Sequence, residues 1–235
     1  MVFFKIIGVI PARLKSRRLP EKPLINLCGK PLIQWVYEQS KKALDNIIIA
    51  TDDERIRSVA EGFGANVVMT SNKHQSGTDR VREAVSDIDV TYVVNIQGDQ
   101  PLIPPSMINE LVDCLINSEV PMVTLKKEIT RDEVENPNIV KVVCDRNDLA
   151  LYFSRSVIPY SGVCHKHIGI YGYRKDFLFK FAQLPQGILE KKEGLEQLRA
   201  LEHGYKIKVK TTEYDSFSVD TEEDFLLVKK LMNKK

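Results

Sequence analysis

The stretch IIGVIPARLKSRRLPEKPL, residues 6–24, decides the predicted fold. The start of this stretch belongs to a continuous apolar run, residues 3–10. The β-branched side chains of this run are typical of a central strand covered on both faces. The run ends at Pro11, and a basic segment follows that carries Arg13, Lys15, Arg17, Arg18 and Lys22. A strand that leads into a basic loop and then a helix is a common anion site in α/β proteins, so the first predicted ligand is a polyphosphate.

Prolines at positions 11, 20, 23 and 31 stiffen this segment. They lower the entropy that is lost when the cations are held around a ligand. The alternative is a solvated charged loop, which is disfavoured because such a loop has no need of so many prolines.

Strands and helices alternate through the first half of the chain. After a helix with apolar residues at helical spacing from Leu32 onward, the pattern predicts a strand at 47–51, a helix capped by Asp52 or Asp53 and a strand at 66–69. A helix around Val81 and a strand at 91–96 follow. Such alternation predicts a mostly parallel sheet, whose ligands bind at the carboxyl ends of the strands. Pro11 and Asp99 both follow predicted strands, so we expect them in one site.

The second half contains more antiparallel character. A helix beyond Pro105 precedes a strand at 122–129, residues 139–158 are rich in strand formers, and residues 168–173 alternate glycine with bulky side chains. A helix at 195–201, a strand at 206–212 and a final helix from Thr221 complete the chain. We therefore expect one α/β domain over residues 1–235, with a smaller mixed β subdomain within about 130–215.

The composition excludes several classes of function. The 34 basic and 32 acidic residues leave a formal charge of +2, which does not indicate a nucleic-acid partner. The four cysteines lack zinc or redox spacing and are interpreted as reduced thiols. The apolar N-terminus is too short for a membrane span and lacks the layout of a signal peptide. We expect a cytoplasmic protein without a membrane partner.

Several motifs, in order along nearly the whole chain, resemble those of the sugar-acid cytidylyltransferases. They are PARLKSRRLPEKPL (11–24), HQSGTDR (74–80), NIQGDQP (95–101), NPNIVKVV (136–143), ALYFSRSVIPY (150–160), KHIGIYGYR (166–174), LEQLR (195–199) and VDTEED (219–224). The resemblance implies a Rossmann-like sheet of the nucleotide-diphospho-sugar transferase type, flanked by helices, and a homodimer. It also implies that the subdomain within about 130–215 binds the sugar and contributes to dimerisation. Long motifs in the right order are more specific than any one of them.

The resemblance also implies a reaction. The expected activity is transfer of CMP from CTP to an acid sugar with release of pyrophosphate. The expected sugar is 3-deoxy-D-manno-octulosonate (Kdo), which serves lipopolysaccharide biosynthesis, and the alternatives are 8-amino-Kdo, a sialic-type acid or pseudaminic acid. A glycosyltransferase that uses a nucleotide sugar would be favoured by a DxD triplet, but Asp99 stands alone in GDQ. A non-enzymatic nucleotide or nucleic-acid binding module lacks support from net charge or exposed aromatic clusters.

By the same resemblance, Arg13, Arg18 and Lys22 match phosphate-binding positions, and Asp99 and Asp220 match ligands of Mg²⁺. From the residues alone, Asp99 could equally be a turn residue and Asp220 a helix cap. The family commonly has glutamate where this chain has Gln100, so no charge is expected from that position. No residue indicates a covalent intermediate or an unambiguous general base, which favours a hydroxyl whose pKa is lowered by the metal.

The remaining predicted contacts belong to the nucleotide and the sugar. Predicted to line the nucleotide, besides the three cations, are Pro11, Ala12, Leu14, Gln75, Ser76 and Gly77. Predicted to contact the sugar are Gln97, Arg155, His167, Tyr171, Glu196 and Gln197. Arg155 suits a carboxylate because a guanidinium can bind it bidentately. Without the resemblance, His167 and Tyr171 could be core residues of a strand, and Glu196 could lie on a helix surface.

Overall fold

The computed structural model describes residues 5–14, 18–74 and 76–233. The strands in chain order are β1 (Ile6–Ala12), β2 (Asn26–Leu27), β3 (Lys30–Pro31), β4 (Ile47–Thr51), β5 (Asn66–Met69), β6 (Tyr92–Asn95), β7 (Met122–Glu128), β8 (Lys141–Cys144), β9 (Ala150–Ser154), β10 (His165–Arg174) and β11 (Lys208–Thr211). The helices are α1 (Leu32–Lys41), α2 (Glu54–Gly62), α3 (Gly77–Ala84), α4 (Pro105–Ile116), α5 (Arg131–Val134), α6 (Lys175–Gln183), α7 (Ile188–Glu193), α8 (Leu198–Glu202) and α9 (Glu222–Met232).

The chain divides into two compact units. The first unit comprises residues up to 109 together with those from 215 onward, and the second unit comprises residues 110–214. The C-terminal segment thus returns to the unit that contains the N-terminus. The chain passes from the first unit to the second within α4.

The first unit contains a parallel sheet in the order β6-β1-β4-β5. Val9 and Ile10 of the central strand β1 are fully buried, which confirms the prediction of a strand covered on both faces. Contrary to expectation, β1 does not end before Pro11, because Pro11 aligns with Ala50 and Ala12 still pairs with Thr51. The reason is that proline removes a donor but leaves the chain extended. Residues 3 and 4 of the predicted strand lie outside the described residues.

Helix starts in the first unit follow local capping. Asp53 is the N-cap of α2, and its carboxylate accepts a hydrogen bond from Arg55 N over 2.9 Å. Helix α3 begins at Gly77, earlier than its apolar spacing around Val81 predicted. A capping box accounts for the difference, since Ser76 Oγ accepts from Asp79 N over 3.1 Å while the Asp79 carboxylate accepts from Ser76 N.

The second unit is mixed, as predicted. Strand β7 lies between the parallel β11 and the antiparallel β10, and β8 and β9 form an antiparallel pair that joins β10 through β8. Helix α6 was not predicted, because its run of Phe177, Leu178, Phe179 and Phe181 is compatible with a buried strand or a helix. Aromatic packing favours the helix, because the Phe181 ring stacks on the Tyr173 ring of β10 with 6.1 Å between the ring centroids.

Within the described residues, no helix has both the length and the apolar character that a bilayer crossing requires.

Candidate active site

A cleft of about 960 Å³ lies in the first unit where β1 and β6 end. Its position confirms that these two strand ends share one site, as the sheet topology predicts. The residues that line it are Pro11, Ala12, Arg13, Arg18, Lys22, Pro23, His74, Ser76, Gly77, Arg80, Gln97, Gly98, Asp99 and Asp220. The cleft is therefore polar, with cations of the first loop beside two carboxylates.

Lys22 links the two predicted metal ligands. Its Nζ donates to Asp99 Oδ2 over 2.8 Å and to Asp220 Oδ1 over 3.0 Å. Arg18 Nη2 lies 3.1 Å from the same Asp220 oxygen. Burial opposes the charged form of Lys22, but Asp99 and then Asp220 outweigh it and raise the lysine's pKa. The ammonium is therefore charged, and both carboxylates have a cation within hydrogen-bonding distance.

The backbone brings Asp220 beside Asp99. Val219 N donates to the Asp99 carbonyl over 2.9 Å, which places the C-terminal segment against the turn that follows β6. The Asp224 carboxylate then accepts from Asp220 N and Thr221 N, and Thr221 caps α9. Asp220 itself is not the cap, so its carboxylate faces Lys22 instead of the helix end.

Gly98 allows the turn that carries Asp99 to approach β1 closely. A Cβ at this position would lie 2.9 Å from the Pro11 carbonyl oxygen. Because that neighbour is a backbone atom, it cannot move aside at low cost. The Asp99 turn and the end of β1 are thus held in direct contact.

A single-turn 3₁₀ helix, Lys22–Leu24, holds Lys22 in place. Glu21, which precedes it, has a φ of 52° in the left-handed region, and its carbonyl accepts from Leu24 N over 2.8 Å. Arg13, by contrast, is exposed and forms no ion pair within the described residues. Among the described residues, the loop therefore offers two cations that are paired with carboxylates, Arg18 and Lys22, and one that is unpaired, Arg13.

The donor set fits a magnesium ion. Asp99 and Asp220 supply hard carboxylate oxygens, and Mg²⁺ is commonly held by one or two carboxylates while it keeps several waters. The Lys22 ammonium contacts both carboxylates, so the two can share one cation. Within the described residues, no group of three or more acidic, histidine or cysteine side chains has an arrangement that could hold a metal ion. Gln100 is buried, and its Oε1 lacks a hydrogen-bond partner there.

The start of α3 forms another part of the cleft. Ser76 and Gly77 line it as predicted, whereas Leu14 is buried and is absent from the described lining. Gln75 lies outside the described residues. Four lining residues were not among the predicted contacts: Pro23, Gly98, His74, which contacts Glu83, and Arg80, whose Nη2 lies 3.1 Å from Asp52 Oδ2.

His74 and Arg80 both belong to the motif HQSGTDR, but their partners Glu83 and Asp52 lie outside it. Glu83 also accepts from Ser71 N, and contact with His74 lowers the pKa of Glu83 against the opposing effect of burial. Arg80 is almost fully buried behind the cleft wall. Sequence position alone could not show that these two side chains reach the cleft.

In the second unit, His167 is held by Thr124. Thr124 Oγ1 lies 2.9 Å from His167 Nε2, and it is also 3.0 and 2.8 Å from the carbonyl oxygens of Ile168 and Ile170. The Thr124 hydroxyl has one proton, and it must point to one of the two carbonyl oxygens because a carbonyl oxygen can only accept. We therefore assign the proton in the contact between Thr124 Oγ1 and His167 to His167 Nε2. Desolvation lowers the pKa of His167 to about 3. The ring is therefore neutral, and Nδ1 is a hydrogen-bond acceptor.

Three other predicted sugar contacts lie in the same unit. The Tyr171 ring is 5.4 Å from that of His167, across a register shift in β10. Burial, and secondarily the Glu196 carboxylate, raise the pKa of Tyr171, so its hydroxyl keeps its proton. Gln197 is 3% exposed, and within the described residues its Nε2 has no hydrogen-bond partner. A buried donor without a partner is costly in a folded protein unless a water or ligand satisfies it.

Two predicted sugar contacts make local hydrogen bonds. Gln97 lines the cleft of the first unit, and its Nε2 donates to Asn95 Oδ1 over 3.2 Å. Arg155 is exposed, with Nε bonded to the carbonyl oxygen of Glu193 and Nη1 to that of Pro137. Neither side chain is buried in a core.

Comparison with known proteins gives strong matches. A family model described as Cytidylyltransferase matches residues 7–207. A protein from Thermodesulfovibrio yellowstonii named 3-deoxy-manno-octulosonate cytidylyltransferase is 49% identical, over 97% of this chain and 98% of its own length. A protein of the same name from Fusobacterium nucleatum is 48% identical, over 94% of each.

Two solved structures are also similar to this chain, one in sequence and fold and the other in fold. The structure of CMP:2-keto-3-deoxy-manno-octonic acid synthetase complexed with CTP matches with a TM-score of 0.94 and 39% identity, over 98% of this chain and 99% of that one. A 4-diphosphocytidyl-2C-methyl-D-erythritol synthase from Anaerococcus prevotii matches with a TM-score of 0.66 at 15% identity. This second likeness concerns the fold alone.

Proposed function

The chain belongs to the cytidylyltransferase family, and we propose that it transfers CMP from CTP to Kdo, releasing pyrophosphate and forming CMP-Kdo for lipopolysaccharide biosynthesis. The observation that carries the proposal is the ion cluster of Lys22, Asp99 and Asp220 in the cleft at the ends of β1 and β6. Such a cluster provides both signs of charge that a metal-bound triphosphate requires.

The first loop supplies the phosphate contacts in this proposal. Arg13, Arg18 and Lys22 line one cleft and offset the charge of the triphosphate. Arg18 and Lys22 are paired with carboxylates, so binding of CTP would exchange carboxylate partners for phosphate oxygens. Pro11, Ala12 and Gly77 bring backbone close to the nucleoside, where fixed polar groups can select one base edge.

Asp99 and Asp220 are the residues that would hold Mg²⁺. A bound magnesium ion would neutralise phosphate charge and lower the pKa of an attacking hydroxyl. The chain's own contribution is to position the carboxylates through the Gly98 turn and the bond between Val219 and Asp99. The anomeric hydroxyl of the sugar attacks the α-phosphate in line, and its oxygen forms a bond to the α-phosphorus as the bond to the bridging oxygen breaks. Pyrophosphate leaves, and the proton of the hydroxyl is released to solvent.

For the sugar, we assign the carboxylate contact to Arg155 and the hydroxyl contacts to neutral groups. His167 Nδ1 is suited to accept from a hydroxyl, and the protonated Tyr171 hydroxyl can donate. Gln197 Nε2 has the unsatisfied donor that a polyhydroxylated ligand would satisfy. Gln97 and Glu196 complete the proposed set. Neutral contacts suit hydroxyls, while one guanidinium suits the single negative charge.

A substrate panel tests the reaction. The purified protein, CTP and Mg²⁺ are incubated with Kdo, 8-amino-Kdo, a sialic acid or pseudaminic acid, and pyrophosphate release is measured. We expect the highest kcat/KM with Kdo, and Asp99→Asn and Asp220→Asn each to reduce turnover by about a hundredfold or more while the fold is unchanged by circular dichroism. Higher kcat/KM with another acid, or near-normal turnover of Asp99→Asn, would contradict the proposal.

We also propose that the protein is a cytoplasmic homodimer. Free thiols at Cys28, Cys114, Cys144 and Cys164 support a reducing compartment. The exposed apolar side chains of Leu151, Tyr160 and Ile188 support a partner surface on the second unit. Sedimentation equilibrium tests the assembly, and a mass equal to that of one chain across the concentration range would refute it.

A further inference from the structure

The segment after β9 contains a hydrogen-bond network around Arg155. Arg155 N donates to Glu193 Oε2 over 2.9 Å, and Arg155 Nε donates to the Glu193 carbonyl oxygen over 2.9 Å. Arg155 Nη1 donates to the Pro137 carbonyl over 3.1 Å, and the Arg155 carbonyl accepts from Lys141 Nζ over 2.6 Å. Both the main chain and the side chain of this exposed residue are therefore fixed.

Glu193 is the centre of this network. Besides Arg155 N, its carboxylate accepts from Ser154 Oγ over 2.9 Å and from Tyr152 OH over 3.3 Å, both at Oε1. A carboxylate can accept all three bonds because its two oxygens carry several lone pairs and no proton. Glu193 is the last residue of α7, so it connects the end of that helix to the end of β9.

Lys141 supports the network from beneath. It is fully buried, and its Nζ donates to the carbonyls of Asn136, Ile139 and Arg155. These three bonds use every proton of the ammonium, so Lys141 has none left for a ligand. Its role is to hold the main chain of Arg155 and of the segment that contains Pro137.

We propose that Glu193 is a positioning residue that orients the Arg155 guanidinium toward the carboxylate of the sugar acid. This inference rests on the proposed function of Arg155. Nε and Nη1 hold backbone carbonyls, whereas Nη2 makes no hydrogen bond within the described residues and presents its donors to a ligand. An arginine that is ordered beforehand loses less rotamer entropy when it binds a carboxylate.

The position of Glu193 in the chain strengthens the argument. Gly194, with a φ of 65°, ends α7, and the chain then leads directly to Glu196 and Gln197. The helix end that holds Arg155 therefore also sets where the two other proposed sugar contacts begin.

Steady-state kinetics with Kdo and CTP test the proposal. Glu193→Ala keeps the carbonyl that accepts from Arg155 Nε but removes the carboxylate that fixes Arg155 N. We expect the main chain of Arg155 to shift and carry the guanidinium with it, which raises the KM for Kdo by about tenfold or more while the KM for CTP changes by less than about twofold. Glu193→Gln keeps one side-chain oxygen, so its KM for Kdo is expected to lie between those of wild type and Glu193→Ala. This variant keeps the proposal testable if the alanine variant folds poorly. Glu133→Ala is the control, since Glu133 accepts from Lys166 and Thr130 in the same unit and does not contact Arg155.

A double variant separates positioning from other roles. In the Arg155→Ala background, adding Glu193→Ala is expected to change the KM for Kdo by less than about twofold, because the group on which Glu193 acts is absent. An equal effect of Glu193→Ala in both backgrounds would overturn the proposal while leaving the reaction intact. An unchanged KM for Kdo in Arg155→Ala would overturn it too, by removing Arg155 from the sugar site. Failure of the wild-type protein to release pyrophosphate would instead refute the proposed function.

Discussion

Lys22 occupies the place between two carboxylates where the proposed metal must also be held. Its Nζ is within hydrogen-bonding distance of Asp99 and Asp220, and the lysine side chain is 16% exposed. Two like charges this near each other require a cation, and Lys22 supplies it in the ligand-free protein. We therefore expect the lysine and a divalent ion to compete for the same oxygens until a triphosphate gives Lys22 another anionic partner.

Lys22→Met tests this competition without any turnover. We expect the nucleotide-free variant to bind Mn²⁺ about tenfold more tightly than wild type in calorimetry or electron paramagnetic resonance, since a competing charge a few ångströms away is removed. Lys30→Met is the matched control, because Lys30 pairs with Glu38 away from the cleft. Arg18→Met, which removes a contact with Asp220 alone, should have a smaller effect. Unchanged or weaker Mn²⁺ binding by Lys22→Met would contradict the competition.

His167 gives a prediction about pH. Its folded pKa of about 3 lies below the ordinary histidine value of 6.5, so the unfolded chain binds more protons between these two values. The contribution of His167 to stability is complete above pH 6.5 and is lost as the pH falls toward 3. We expect His167→Gln, which keeps a donor for Thr124, to lose less unfolding free energy than wild type between about pH 7 and about pH 4.5. Urea unfolding measures this, and parallel curves would refute it.

At the scale of elements, turns and caps place the charged groups. The Gly98 turn lies against the end of β1, and the capped start of α9 lies against the same turn through Val219. Strands alone would bring the loops to one edge of the sheet. The close backbone approach and the capping box then decide which side chains meet there.

Gly98→Ala tests that approach. The added Cβ meets the Pro11 carbonyl at 2.9 Å, so the turn must shift, and we expect a loss of about 1–3 kcal/mol in stability together with reduced CTP turnover. Gly62→Ala at the end of α2 is the control, because nothing lies within 4 Å of its Cβ and alanine favours a helix. Equal stability and activity of the two variants would show that the close approach is unimportant.

At the scale of the whole molecule, the residues that are proposed to bind the two substrates are divided between the two units. The cleft with Arg13, Arg18 and Lys22 lies in the first unit, while Arg155, His167, Tyr171 and Gln197 lie in the second. The proposed nucleotide contacts and most of the proposed sugar contacts therefore rest on separate cores, each with its own strands and helices.

This division predicts separable effects on the two substrates. Arg13→Ala is expected to weaken CTP binding by about tenfold, because a charge-assisted phosphate contact is lost, and Tyr171→Phe is expected to leave CTP binding unchanged while raising the KM for Kdo. Calorimetry with CTP and steady-state kinetics with Kdo measure the two effects. Weakened CTP binding by Tyr171→Phe would contradict the division.

Much of the fold was predictable because its signals are local. The period of apolar residues predicted β5 with the observed limits and the buried β1, and the strand-helix alternation predicted the parallel sheet. The start of α3 and the whole of α6 differed from expectation, since a capping box and aromatic packing outweighed apolar spacing. For the site, the motifs named the cations and carboxylates, but they could not show His74 or Arg80 at the cleft wall.

The amino-acid sequence by itself determined the α/β class, the proline-stiffened basic turn and the family, because these depend on neighbouring residues and on ordered motifs. Only the tertiary structure decided that Lys22 bridges Asp99 and Asp220, the latter 198 positions away, and that Glu193 holds Arg155. Such contacts depend on how separate strands, turns and helix ends pack together. No local pattern in the chain encodes the distance between two side chains that packing brings together.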